Sequence, residues 1–132
     1  MKIVNLIARI LLGLMFTVFG LNGLHPFLSM PMPTGLAGQY MLALFVSHYA
    51  YAIFGAQLLS GILLLANRFV PLAVTILAGI IVNILSYHLA MNPEGLPLAL
   101  VAAVLWLGVF LGVRRSFAGI FAARTSMTPA SR

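Results

Sequence analysis

Hydrophobic residues fall into four long runs, at about 3–24, 41–66, 69–89 and 96–113, separated by short polar or proline-bearing breaks. Each run is near or above the roughly 20 residues that carry an α-helix across a bilayer's hydrocarbon. The third is the most informative. As a helix it reaches about 31 Å, and it contains no charged residue. It opens after Asn67-Arg68 with Pro71 in its first turn, and closes ahead of Met91-Asn92-Pro93-Glu94-Gly95. At about 100° per residue, Thr75, Gly79, Ser86 and Tyr87 gather within about 80° of Asn83, with Val74, Leu77, Ile81 and Leu85 opposite. The pattern predicts a membrane helix whose polar face looks at protein and whose apolar face looks at lipid.

The first run follows Lys2 and includes Arg9, and no small-x-small cleavage site follows it, so it reads as a retained transmembrane helix. Arg9, one turn from Asn5, reads as a topology anchor that snorkels to the headgroups, with an anion or lipid contact as the alternative. Residues 25–40 carry Pro26, Pro31, Pro33, Gly35 and Gly38, which argue against a continuous helix. The same stretch is apolar and uncharged, as expected of an interfacial linker or a lid over the bundle. In the second run, Ala52, Ala56 and Ser60 form a small-residue series suited to close helix contact. Gln57 shares a side with Ser60, Gly61 and Leu64. His48 projects about 180° away from it, so the two converge only if the helix breaks between them. The fourth run holds Trp106 well inside, with Gly108 and Gly112 as a GxxxG pair. Beyond Arg114-Arg115, the shared face of Phe117, Ile120 and Phe121 predicts a short helix on the membrane surface, and Thr125 to Arg132 should be disordered.

Composition fits this reading. Of 132 residues, 63% are hydrophobic and 6% charged, and the mean hydropathy is +1.15. So much apolar surface requires lipid as solvent. The expectation is an all-α membrane protein, an up-and-down four-helix transmembrane bundle forming one domain over 1–115, with the interfacial helix and tail at 116–132. The absence of cysteine excludes thiol–disulfide exchange, iron–sulfur ligation and Cys-based zinc sites. A pI near 11.0 does not signal nucleic acid, because the basic residues are scattered and only one acid opposes them. Their placement matters more. Lys2, Arg9, Arg68, Arg114, Arg115, Arg124 and Arg132 all fall at the termini or the connection between the second and third runs. The other connections hold only Glu94. The positive-inside rule then puts both termini in the cytoplasm.

That topology gathers Asn22, His25, His48, Asn83, Tyr87 and His88 toward the outer side, with Gln57 deeper. Three histidines at one level invite a metal or haem reading. His88, however, turns about 140° from Asn83, His48 faces away from Gln57, and His25 belongs to a proline-rich loop, so they read as interfacial residues and no metal is expected. Asn83 and Tyr87 share a face about 6 Å apart, where Gln57 and Asn22 can meet them across a bundle. Uncharged amide and phenol donors suit a ligand bearing carbonyl oxygens, such as a quinone, with Trp106 or a phenylalanine as a flat wall. The alternative is interhelical hydrogen-bond glue, worth about 0.6 kcal/mol per contact.

Three stretches resemble the DoxX family: ArgIleLeuLeuGlyLeu-x₄-PheGlyLeuAsnGly-x-His at 9–25, MetPro-x-Pro-x₃-AlaGly at 30–38, and AsnArgPheValProLeuAla-x₇-IleValAsnIle-x₃-HisLeu at 67–89. The likeness covers about residues 8–113. The resemblance implies a four-helix protein of the bacterial inner membrane. The family is named for similarity to a subunit of an archaeal thiosulfate:quinone oxidoreductase, and some relatives are linked to oxidative-stress or redox complexes. On that basis the expected role is an accessory or quinone-associated component of a membrane redox system, with catalysis left open. The alternatives are a scaffold or chaperone binding partner proteins, and a small-solute transporter. The last ranks lowest, because no ionisable residue sits at mid-depth. Expected partners are the lipid bilayer and either a second copy of the chain or a membrane redox protein. Where the family often carries a glutamate, this chain has Gln57, which does not titrate, so proton transfer by that residue is put in doubt.

Overall fold

The computed structural model describes residues 1–127; the last five residues of the tail expected to be disordered, 128–132, lie outside that range. Five α-helices follow one another: α1 Lys2–Leu24, α2 Gly35–Val46, α3 Ala50–Ala66, α4 Val70–Ala90 and α5 Leu96–Val113. Short 3₁₀ turns, Pro93–Gly95 and Arg114–Phe117, flank α5. α1, α4 and α5 with its flanking turns are each long and apolar enough to cross a membrane, and α2 with α3 satisfies the same test as a bent pair. Four of the helices close a ring, α1 against α3, α3 against α4, α4 against α5 and α5 back against α1. Neighbours run antiparallel. Gly13 of α1 faces Gly61 and Leu65 near the end of α3, while Gly23 faces Phe54 near its start, and Gly112 of α5 faces Asn5 of α1.

The second apolar run is not one helix. It breaks at Ser47–Tyr49, and α2 and α3 meet at 87°. His48 makes the corner with φ 63°, a left-handed conformation in which histidine is several-fold enriched. The helix before the corner starts at Gly35 rather than near residue 41. Two glycines allow that early start: Gly35 takes φ 65°, and a Cβ on Gly38 would lie 2.4 Å from the Pro33 carbonyl oxygen. The short α-helix expected after Arg115 is replaced by the Arg114–Phe117 turn. Phe117 folds back onto Phe110, ring centres 5.4 Å apart, and leaves Ile120 and Phe121 exposed. So few residues cannot repay helix nucleation once their best apolar anchor is drawn into the bundle.

The polarity of α4 is also reversed. Val74, Leu77 and Ile81, expected toward lipid, form the buried core, while Thr75, Gly79 and Ser86 face outward and, of the expected inner face, Asn83 and Tyr87 reach the bundle's interior only at its far end. The hydroxyls can point away from the core because each satisfies itself on its own helix. Thr75 Oγ1 donates to the Pro71 carbonyl at 2.9 Å and Ser86 Oγ to the Val82 carbonyl at 2.8 Å.

The α1–α3 contact is built on glycine. A Cβ on Gly20 would lie 2.6 Å from the Leu58 amide nitrogen, and one on Gly61 2.5 Å from the Thr17 amide nitrogen. Backbone therefore meets backbone along this seam, where dispersion contacts are densest. Of the small series on α3, Ser60 is fully buried, Ala56 half-buried and Ala52 exposed, so the seam follows Gly61 and Ser60 rather than the spacing from Ala52. At the basic end, the Arg9 guanidinium donates to the Leu64 carbonyl in the last turn of α3. There it meets the negative end of the helix dipole as well as an acceptor. Asn67 ends α3 in the left-handed conformation (φ 55°), with Arg68 N–H returning to the Leu63 carbonyl at 3.0 Å.

Trp106 ties α5 to α4. Its Nε1–H donates to the Val74 carbonyl at 2.9 Å, and its ring stacks on Phe110 with centres 5.2 Å apart. Trp106→Phe should cost about 1 kcal/mol, the scale of one interhelical hydrogen bond in a membrane protein. The thermal midpoint in detergent reads this loss, and a midpoint equal to wild type would show that the bond contributes nothing.

Candidate functional site

The buried cluster draws on Ala8, Leu12 and Phe16 of α1, Leu64 of α3, Val70 to Ile81 of α4, and Ala102 and Val109 of α5. These positions fill the half of the ring that carries the basic residues. The other half is hollow. There the ring encloses a cavity of about 360 Å³, lined by residues from all five helices, near the lower end of the range for small-molecule pockets. α2, turned across the bundle by the corner at His48, roofs it with Tyr40, Met41 and Leu44. Tyr40 meets Tyr87 of α4 at 5.4 Å between ring centres, and Phe45 stacks on Phe54 of α3 at 5.9 Å. Phe16, Phe19 and Phe54 supply flat apolar wall.

Against this wall stand a few polar groups. Gln57 is 5% exposed, lines the cavity, and takes part in none of the side-chain hydrogen bonds among the described residues. Its amide therefore faces the cavity without a protein partner and is free to hydrogen-bond whatever occupies it. Tyr87 is half-buried on the α4 side, and Asn83, largely exposed, forms the rim. The cavity thus gathers three of the five residues expected to bind ligand.

The other two lie outside it. Asn22 organises the loop after α1: its Oδ1 accepts from the Phe27 and Leu28 amides at 2.9 and 2.8 Å, and its Nδ2 approaches Met30 Sδ at 3.6 Å. Trp106 sits one turn below the cavity, engaged with Val74 as described. Asn22 thereby holds the segment that brings Met30 to the cavity wall.

His88 is the residue that sequence reasoning set aside. It was expected on the lipid side, but the reversal of α4 turns it into the cavity wall. Its Nδ1 lies 2.9 Å from the Asn92 main-chain carbonyl, and its ring meets Tyr87 edge-on at 4.9 Å. The ring lies directly over Gly95, where a Cβ would come within 2.0 Å of Cε1. The available signal was a histidine in the last turn of a helix, where such side chains hydrogen-bond terminal carbonyls. Among the described residues, no three of His, Cys, Asp and Glu come together.

No family model, curated protein or solved structure matches the chain. The functional reading accordingly rests on the cavity and on the sequence.

Proposed function

We propose that this is an inner-membrane protein of the DoxX type whose cavity holds the ring of a quinone-class lipid, serving as an accessory or quinone-associated component of a membrane redox system. In this reading α1, α3, α4 and α5 cross the bilayer up, down, up and down, with both termini cytoplasmic, and α2 lies along the outer surface as a lid. The orientation is supported by the sorting of charge: Lys2, Arg9, Arg68, Arg114 and Arg115 belong to one end of the ring, and Glu94 belongs to the other.

One observation carries the ligand reading, namely Gln57, a residue 5% exposed that lines the largely apolar cavity wall with no hydrogen bond to the protein among the described residues. A ring with oxygen substituents satisfies both demands. Its faces pack on Phe16, Phe19 and Phe54, and an oxygen meets Gln57, which can donate or accept. Protein purified in mild detergent should carry quinone detectable by mass spectrometry, or take up an added short-chain benzoquinone once stripped. Failure of both would overturn the ligand reading. Reporter fusions after Arg68 and after Asn92 should report opposite sides of the membrane, and a shared side would overturn the topology.

A further inference from the structure

The polar groups on the cavity wall are not equivalent. Gln57, Asn83 and Asn92 carry amides, and Tyr40 and Tyr87 hydroxyls, each able to donate or accept. His88 is different. Its Nδ1 faces the Asn92 carbonyl at 2.9 Å, and a carbonyl oxygen can only accept. The proton of a neutral imidazole therefore sits on Nδ1, and Nε2 is left as a bare acceptor. The ring is held in that state by its seat over Gly95, whose missing side chain leaves the space it occupies, and by the edge of Tyr87. Of the amide, hydroxyl and imidazole side chains on the wall, only this one is committed to a single hydrogen-bonding role.

We propose that His88 makes the cavity selective for a hydroxylated ring of the hydroquinone class over the corresponding quinone. A quinone offers only carbonyl oxygens, which cannot pair with Nε2. A hydroquinone offers O–H, which donates to Nε2 directly. Gln57, Asn83 and Tyr87 adapt to either form by choosing donor or acceptor, so they add affinity without discriminating. The proposal rests on the cavity being a ring-binding site, as argued above, and adds which redox form it retains and which residue decides.

The test compares a decyl-chain benzoquinone with its two-electron-reduced form, each titrated anaerobically into the full chain in detergent. Wild type should bind the reduced form more tightly. His88→Phe keeps a flat ring but no acceptor, and should lose about tenfold in hydroquinone affinity and less than about twofold in quinone affinity, the equivalent of one hydrogen bond. Gly95→Ala leaves His88 in place but pushes its ring off the seat. It should narrow the same ratio, and it answers the question if His88→Phe does not fold. Tighter binding of the quinone by wild type, or an unchanged ratio in the folded variants, would overturn the assignment of His88. Equal loss of both forms would do the same, since it marks a merely structural residue. If wild type binds neither form, the cavity reading itself fails.

Discussion

Adding one methyl group at Gly61 should cost the bundle about 2–3 kcal/mol, the upper part of the range for overpacking a close contact. The Cβ would lie 2.5 Å from both the amide nitrogen and Oγ1 of Thr17, and 2.9 Å from the Gly13 carbonyl oxygen. Two of these three atoms are backbone, so no rotamer change relieves the clash and α1 must move off α3. Gly20→Ala should behave alike, because its new Cβ would meet the Leu58 backbone. Gly79→Ala is the control. Nothing lies within 4 Å of a Cβ there, and alanine's helix propensity should leave stability unchanged or raise it by up to about 1 kcal/mol. Thermal unfolding of the variants in one detergent separates these outcomes. Similar losses at Gly61 and Gly79 would rule out the glycine seam as the main helix contact.

Gln57→Leu should move stability and binding in opposite directions. Without ligand, the amide faces the cavity with no protein partner, and leucine suits the apolar wall better. The ligand-free variant should therefore be slightly more stable, by up to about 1 kcal/mol. Its affinity for the benzoquinone probe should fall about tenfold, as the oxygen loses its partner. An amide acting only as interhelical glue behaves differently: its loss lowers stability and leaves ligand content unchanged. The thermal midpoint and bound quinone per folded protein, measured on the same preparation, distinguish the two. A destabilised variant with full occupancy would remove Gln57 from the site. Asn83→Leu should have a smaller effect on binding, because Asn83 stands at the exposed rim.

Much of the fold was legible in hydropathy alone. The first, third and fourth runs end within a residue or so of α1, α4 and α5, because charges, proline and glycine mark their limits sharply. The second run misled because apolar residues continue through the corner. Its length was the overlooked signal. A run of 26 residues exceeds what one crossing needs, and Ser47-His48 between Phe45 and Tyr49 has the composition of a membrane–water boundary. The facing of α4 was illegible for a different reason. Polarity was taken to mark the inside, but Thr75 and Ser86 satisfy themselves on carbonyls of their own helix and present no free donor. Hydropathy scores such hydroxyls as polar wherever they point. That inversion hid His88 and put Asn83 at the centre of the site instead of its edge. Gln57 escaped the confusion because an amide on its long side chain has no such local outlet, so burial and polarity coincide there.

The right-angle corner also bears on depth. It leaves α3 with 17 residues against 23 in α1, or about 26 Å of rise against about 35 Å. A bilayer of about 30 Å must thin beside α3, or be filled there by α2 lying flat. On the proposed topology, α2 lying flat makes up the difference and stands between the start of α3 and the outer surface. Gln57 stands seven residues along from Ala50, about 10 Å below the corner by helical rise. Nine residues on the other side separate it from Ala66, about 14 Å, so a ring held at Gln57 sits near the middle of α3. On the same topology, the way from that ring to the outer surface runs past the corner at His48 and beneath α2.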